Sequence, residues 1–445
     1  MLLPFLPYLS TALALSIGLR PRDDKPIRGV NLGGWFVLEP WITPSLFDMT
    51  KDEKLPGPHN KPAILDEWTF CQHHGKEKCK ELLSQHWNAF ITLDDFLYIK
   101  AAGLTHVRLP IGHWSVDIAE GEPYVDGQLE YVDRALGWAR QVGLKVYLDL
   151  HGGPGSQNGF DNSGHNIAAQ WFDDNNRQRT LATIRRLGAK YIGSDSQFQD
   201  VVTGFFVLNE NGPARQTLMA WNKDAYEVLN QLSNGKIEVV LDVSELDPAG
   251  WANELWVSGQ SIAIDYHFYD GFGTPKEVQV DVTDTQFVRK GCGIWDSLKS
   301  YQLDHRRRLY VGEWSSKITD CATHLLGYRA GNNVDETFCA QHGKEPWYFD
   351  DVTAKHELCV ALTGKTSDLP EYLRQRISRY VKAQLDSLNK LDGWFFWTWK
   401  TETGLPEWDL RELIQNGLFP AGPDFSSGIS FLIQYLIFPY LLTQF

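Results

Sequence analysis

The chain has no excess of positive charge: Lys+Arg 42 stand against Asp+Glu 56, a formal charge of -14 over 445 residues. No segment interleaves basic side chains with aromatics, so a nucleic-acid partner is not expected. Cysteine is scarce, and the six present (Cys71, Cys79, Cys292, Cys321, Cys339 and Cys359) stand at no zinc-ligand spacing. No Gly-x-Gly-x-x-Gly follows a strand-like run, which removes support for a dinucleotide fold. Internal repeats, low-complexity tracts and Asn-x-Ser/Thr acceptor sites are also missing.

Aromatic residues are plentiful, with 17 Trp, 17 Tyr and 23 Phe. Flat apolar faces with a polar tip suit sugar rings, although most of these side chains must serve the core. The first 16 residues hold an apolar stretch ending in small residues and lack a basic lead; they read as a secretory signal, followed by the exposed linker Arg20-Pro21-Arg22-Asp23-Asp24-Lys25. Export favours disulfides. Residues 421–445 end in an atypical apolar tail broken by Gln434 and Pro439. A peripheral tail ranks first for it, a cleaved lipid-anchor signal second and a spanning helix last.

Eight strand-like runs can be placed, at 28–32, 105–111, 145–150, 201–208, 237–241, 262–268, 309–311 and 394–399. Helix-period segments at 92–100, 131–142, 177–191, 225–232 and 373–388 alternate with them. Continuous β-branched and aromatic runs read as strands buried on both faces, and the alternation predicts a parallel sheet. The expected architecture is a single (β/α)8 TIM barrel over 27–420, with long loops at 47–65 and 321–368 over its catalytic face.

Two of these runs close on glutamates, Glu210 after 201–208 and Glu313 in Arg308-Leu309-Tyr310-Val311-Gly312-Glu313-Trp314. Other polar residues near strand ends are Glu39, Arg108, Asp149, His151, Asn209, His267, Tyr269, Lys400 and Glu402, with no nucleophilic Ser or Cys among them. Glycoside hydrolysis needs one carboxylic acid and one carboxylate, about 5–5.5 Å apart when configuration is retained. The acid must keep its proton through a raised pKa while donors hold its partner ionised. Arg108 and Tyr269 are candidate donors to Glu313, and Asn209 to a sugar 2-hydroxyl. His151 and His267 could donate to sugar or carboxylate. Asp149 reads equally as a structural partner of Arg108 or as a direct participant, and Lys400 and Glu402 read as rim structure. No two of these acids or histidines share a helix at close spacing, so no metal site is expected.

The segment Arg28-Gly29-Val30-Asn31-Leu32-Gly33-Gly34-Trp35-Phe36-Val37-Leu38-Glu39-Pro40-Trp41 closely resembles the opening of fungal exo-1,3-β-glucanases, a branch of glycoside hydrolase family five. Val107-Arg108-Leu109-Pro110-Ile111-Gly112-His113-Trp114, Asp149 to Gly164, Val311-Gly312-Glu313-Trp314-Ser315 and Gly393 to Glu402 resemble further blocks of that family. The resemblance runs from about Ile27 to Pro420. It implies Glu210 as acid/base and Glu313 as nucleophile, framed by Arg108, His151, Asn209, His267 and Tyr269. It also implies Glu39, Asp161 and Asn162 as contacts to the non-reducing glucose, and Phe160 and Phe272 as an aromatic clamp at the entrance. Trp397 or Trp399 would form the apolar floor; both have the same strand parity, which leaves the choice open. The same likeness implies a Cys321–Cys359 bridge, and local pairing is expected for Cys71 and Cys79.

Three departures accompany it. Asn211-Gly212-Pro213 follows Glu210 where the family usually has proline directly, and Tyr266 and Phe268 stand where it tends to have histidines. The terminal cysteine that would pair with Cys292 is missing. The expected protein is a secreted or cell-wall, monomeric, retaining exo-β-1,3-glucanase acting on β-1,3-glucan without metal or other cofactor. The alternatives are a β-glucan transglycosylase, a β-1,6- or aryl-β-glucosidase, or an inactive glucan-binding wall protein.

Overall fold

The structure is a computed structural model that describes residues 25–49, 64–212, 215–242, 261–270, 284–299, 308–331, 334, 352–422 and 425. The expected signal segment and almost all of the apolar tail lie outside these residues. Eight parallel strands close into a barrel: β1 (Ile27–Asn31), β2 (His106–Gly112), β3 (Lys145–Gly152), β4 (Val202–Phe206), β5 (Glu238–Asp242), β6 (Ile262–Phe268), β7 (Arg308–Trp314) and β8 (Gly393–Phe396). Each strand pairs with its sequence neighbour, and β1 pairs with β8 to complete the ring. All eight expected runs are strands, and the fold is the expected (β/α)8 barrel.

Helices pack around the ring, among them Gln128–Val142, Asp174–Tyr191, Arg215–Ser233 and Glu371–Leu388. Their apolar stripes meet the outer faces of the strands in one continuous core that includes Val107, Leu136, Leu148, Ile184, Val239, Leu309, Ile377 and Trp394. A separate cluster of Ile27, Tyr147, Phe206, Val240, Ala263, Tyr310 and Phe395 fills the barrel interior. Gly204 makes room for it, since a Cβ there would lie 2.0 Å from the Tyr147 ring. This plug closes the barrel from below and leaves the carboxyl-end mouth to the polar residues.

Several helices depart from the sequence reading, among them Asp284–Leu298, which has no counterpart in it. Glu67–Ala89 was not marked by periodicity because Gly75, at φ 73°, kinks it. Asp66 caps its start by accepting from the Thr69 backbone N–H, and the Cys71–Cys79 disulfide spans the kink. Within the expected loop 321–368, Val352–Leu362 is helical and carries Cys359, which is bonded to Cys321. Among the described residues, no helix is long and apolar enough to cross a membrane.

Cys292 is a free, half-buried thiol, and burial, with Asp386 nearby, pushes it up to about 11. Peptide mapping without reduction is expected to recover Cys71 joined to Cys79 and Cys321 joined to Cys359, with Cys292 unlinked. Alkylation of Cys292 in the folded protein at pH 8 should be slow, because little thiolate is present. Finding Cys292 in a disulfide would overturn this assignment.

Candidate active site

Arg108 rises from β2 into the barrel, completely buried, with its guanidinium 4.6 Å above the Phe206 ring of the plug. It donates through Nη1 to Glu313 Oε1 at 2.7 Å and Asn31 Oδ1 at 2.9 Å, and through Nη2 to Asn209 Oδ1 at 2.7 Å. Asp149 Oδ2 lies 3.1 Å from the same Nη2. Burial alone would lower the pKa of this cation, but the charges of Asp149, Glu313 and Asp265 raise it instead. The guanidinium is a fixed charge that gathers four side chains from β1, β3, β7 and the segment after β4.

Glu313 lies inside β7 rather than beyond its end. The register shifts so that His267 faces Glu313 directly and Gly312 bulges out of the ladder. Gly312 must be glycine here: a Cβ would lie 2.3 Å from Asp265 Oδ1, which instead accepts its backbone N–H at 2.7 Å. The Tyr269 hydroxyl donates to Glu313 Oε2 at 2.7 Å, so each oxygen of this carboxylate has one strong donor. Both expected donors therefore reach Glu313.

Glu210 stands beyond β4, which ends at Phe206. Its Oε2 accepts from Asn162 Nδ2 at 2.9 Å, and its Oε1 lies 3.0 Å from His267 Nδ1. The other nitrogen of His267 lies 3.0 Å from Asp265 Oδ2, and Nδ1 is also 3.6 Å from Glu313 Oε2. One ligand atom from each of Glu210, His267 and Glu313 lies within 4.8 Å of the other two. By distance these three could hold a metal ion. Arg108 already donates to Glu313, however, and His267 uses the nitrogen between the acids for its own hydrogen bond, so the cluster is supplied with positive charge by its own side chains.

The protonation pattern differs from the expectation that the acid/base would carry the raised pKa. Burial raises Glu210, but the hydrogen bond and charge of His267, then His151 and Asn162, outweigh it and hold the carboxyl at about 2. Burial would lower His267, yet the carboxylates of Glu313, Asp265 and Glu210 raise it well above its ordinary value. Glu313 is raised by burial and by Glu210, with His267 and Arg108 opposing. In the sugar-free site the proton between Glu210 and His267 therefore rests on the imidazole.

His151 Nδ1 lies 2.7 Å from Asp149 Oδ2, leaving Nε2 buried without a partner among the described groups. Asn209 Nδ2, Glu39 Oε1 and Asp161 Oδ2 are likewise buried and unpartnered, polar atoms of the kind a ligand hydroxyl satisfies. Glu39 Oε2 accepts from Trp41 Nε1 at 2.9 Å, and burial with the Asp161 charge raises its carboxyl. Burial, with Asp66, pushes Asp161 up to about 7.

Trp397 stacks on His151, with ring centroids 5.2 Å apart and planes at 9°. Trp399 does not share that face. Its Nε1 donates to Asp95 Oδ1 at 2.9 Å and its ring meets Tyr98 edge-on, so it belongs to the helix layer. Strand parity does not relate the two because β8 ends at Phe396. Lys400 pairs with Asp95 at 2.8 Å, as rim structure. Phe160 is 61% exposed, beside Asp161 and Asn162; Phe272 lies outside the described residues.

Sequence reasoning overlooked Asp265, Asn31 and Gln157. Asp265 sits two residues before His267 on β6, a same-face spacing that could have revealed it. Asn31 Nδ2 donates to Gly312 O at 2.9 Å, tying β1 to the strand that carries Glu313. Gln157 Nε2 donates to His151 O at 2.7 Å and Asn209 O at 3.0 Å.

Comparison with known proteins places the chain as a whole. Residues 69–328 match the family described as Cellulase (glycosyl hydrolase family 5). The chain is 37% identical to a probable glucan 1,3-beta-glucosidase A of Aspergillus clavatus, covering 95% of each chain. It is 40% identical to a probable glucan 1,3-beta-glucosidase of Arthroderma benhamiae, covering 90% of each. The crystal structure of rutinosidase from Aspergillus niger shares the fold, with a TM-score of 0.65 and 17% identity over 88% of this chain and 97% of that one. With a carboxylate pair at the mouth of its barrel and relatives of this similarity along nearly its whole length, the chain belongs to glycosyl hydrolase family 5.

Proposed function

We propose that the protein is a secreted, retaining exo-β-1,3-glucanase that releases glucose from the non-reducing ends of β-1,3-glucans. The observation that carries the mechanism is that an oxygen of Glu210 and an oxygen of Glu313 lie within 4.8 Å of each other, which fits the spacing of a retaining pair, about 5–5.5 Å between carboxyl groups, better than the roughly 6.5–9.5 Å of an inverting one. The substrate follows from the names of the relatives, and secretion is supported by the two disulfides.

In the first step Glu313 attacks the anomeric carbon and forms a C–O bond as the bond to the leaving oxygen breaks. Glu210 gives that oxygen a proton. In the second step Glu210 takes a proton from water, whose oxygen bonds to the anomeric carbon and releases Glu313. Transfer from His267 Nδ1 to Glu210 Oε1 along their 3.0 Å contact supplies the proton without a change in the total held by the pair. Asn209 Nδ2 is free to meet the 2-hydroxyl, while Glu39 and Asp161 offer acceptors to hydroxyls at the non-reducing end.

Product analysis on laminarin-type oligosaccharides tests the reading. Proton NMR is expected to show β-glucose as the first product; initial α-glucose, or oligosaccharides without glucose, would overturn it.

The pH dependence has a definite sign. The Glu210–His267 pair keeps its proton below the raised histidine value and loses it as pH rises through that value, so the basic limb of kcat/KM should lie above the ordinary 6.5. Glu313 must be ionised, so activity falls as pH drops through its value, which is raised above 4.5. In His267→Asn the basic limb is expected to move to lower pH. An unmoved limb would show that His267 does not hold the proton.

A further inference from the structure

Glu210 has φ 44°, a left-handed conformation that non-glycine residues keep only where their surroundings hold them. On its amino side the chain is fixed to the sheet: Val207 N–H donates to Val240 O at 3.1 Å and Asn209 N–H to Leu150 O at 2.9 Å. On its carboxyl side stands Asn211, fully buried. Its backbone N–H donates to Oδ2 of Asp242, the last residue of β5, at 3.3 Å, and its Nδ2 donates back to Leu208 O at 3.3 Å. These bonds close a small loop around Glu210. A proline at 211 has no N–H to give and would push the residue before it toward extended geometry. The asparagine is thus suited to the left-handed glutamate in a way that proline is not.

We propose that Asn211 and Asp242 are positioning residues for the proton donor, holding Glu210 where its carboxyl meets His267, Asn162 and the leaving oxygen. The proposal rests on the reading of Glu210 as the acid/base. A sugar alkoxide is a poor leaving group and departs only with its proton, whereas 2,4-dinitrophenolate departs without one. A displaced Glu210 therefore slows cleavage of a glucosyl–glucose bond far more than cleavage of the dinitrophenyl glucoside. A general loss of structure slows both.

The test compares kcat/KM on laminaribiose and on 2,4-dinitrophenyl β-glucoside. Asp242→Ala is expected to lose about tenfold or more on laminaribiose and about twofold or less on the dinitrophenyl substrate. Asp242→Asn, which keeps an acceptor oxygen in place, should recover most of the laminaribiose rate. Equal losses on both substrates, or no loss on either, would overturn the proposal. Should Asp242→Ala not fold, Asn211→Pro is judged by the same ratio. Glu210→Gln, measured on the same pair, separates the two readings: if it shows no selectivity for the poor leaving group, the acid/base assignment fails and takes the proposal with it.

Discussion

The guanidinium of Arg108 is the charge around which the site is assembled. It is buried on top of an apolar plug, where an unpaired cation would be prohibitively costly, so its carboxylate and amide partners must be present and correctly placed. Breaking such a buried pair costs about 3–5 kcal/mol, a large part of the net stability of a typical domain. The same requirement orients the chemistry. Glu313 is held by Arg108 on one oxygen and Tyr269 on the other, and Asn209 is held by its oxygen so that its amide nitrogen remains available. Folding and preorganisation are here served by one set of hydrogen bonds.

The second layer of control is the shared proton. Glu210, His267 and Glu313 form a compact group, with Asp265 behind the imidazole and Asn162 on the far oxygen of Glu210. An isolated pair of glutamates would have to reach opposite protonation states through burial and mutual repulsion alone. With an imidazole between them, the proton is kept in the site, and in the proposed mechanism it lets Glu210 act as acid when the leaving oxygen arrives, then as base when water replaces it. The Gly312 bulge that sets His267 opposite Glu313 is what makes this arrangement possible.

Much of this was legible in the sequence because the barrel writes itself as apolar runs, and all eight were recognisable. The two neighbouring glutamates were legible as candidates for the same reason, since a carboxylate at the end of an apolar strand has little structural use there. Legibility failed where tertiary packing overrides local pattern. Gly75 and a disulfide interrupt the periodicity of Glu67–Ala89, and Trp397 and Trp399 leave the strand before parity can assign them. The spacing of Asp265 from His267 hinted at its place, but its bond to the Gly312 N–H depends on a register shift between β6 and β7 that no local pattern records. The direction of the Glu210 shift was also beyond the sequence, as it arises from an imidazole contributed by another strand.

In the proposed mechanism Glu313, clamped by Arg108 and Tyr269, becomes covalently attached to the sugar. Incubation with 2-deoxy-2-fluoro-β-glucosyl fluoride, which forms the intermediate readily and releases it slowly, followed by proteolysis and mass spectrometry, locates that bond directly. The expected result is a single fluoroglucosyl group on the Glu313 carboxylate. A label on Glu210, or on any other residue, would rule Glu313 out as the nucleophile.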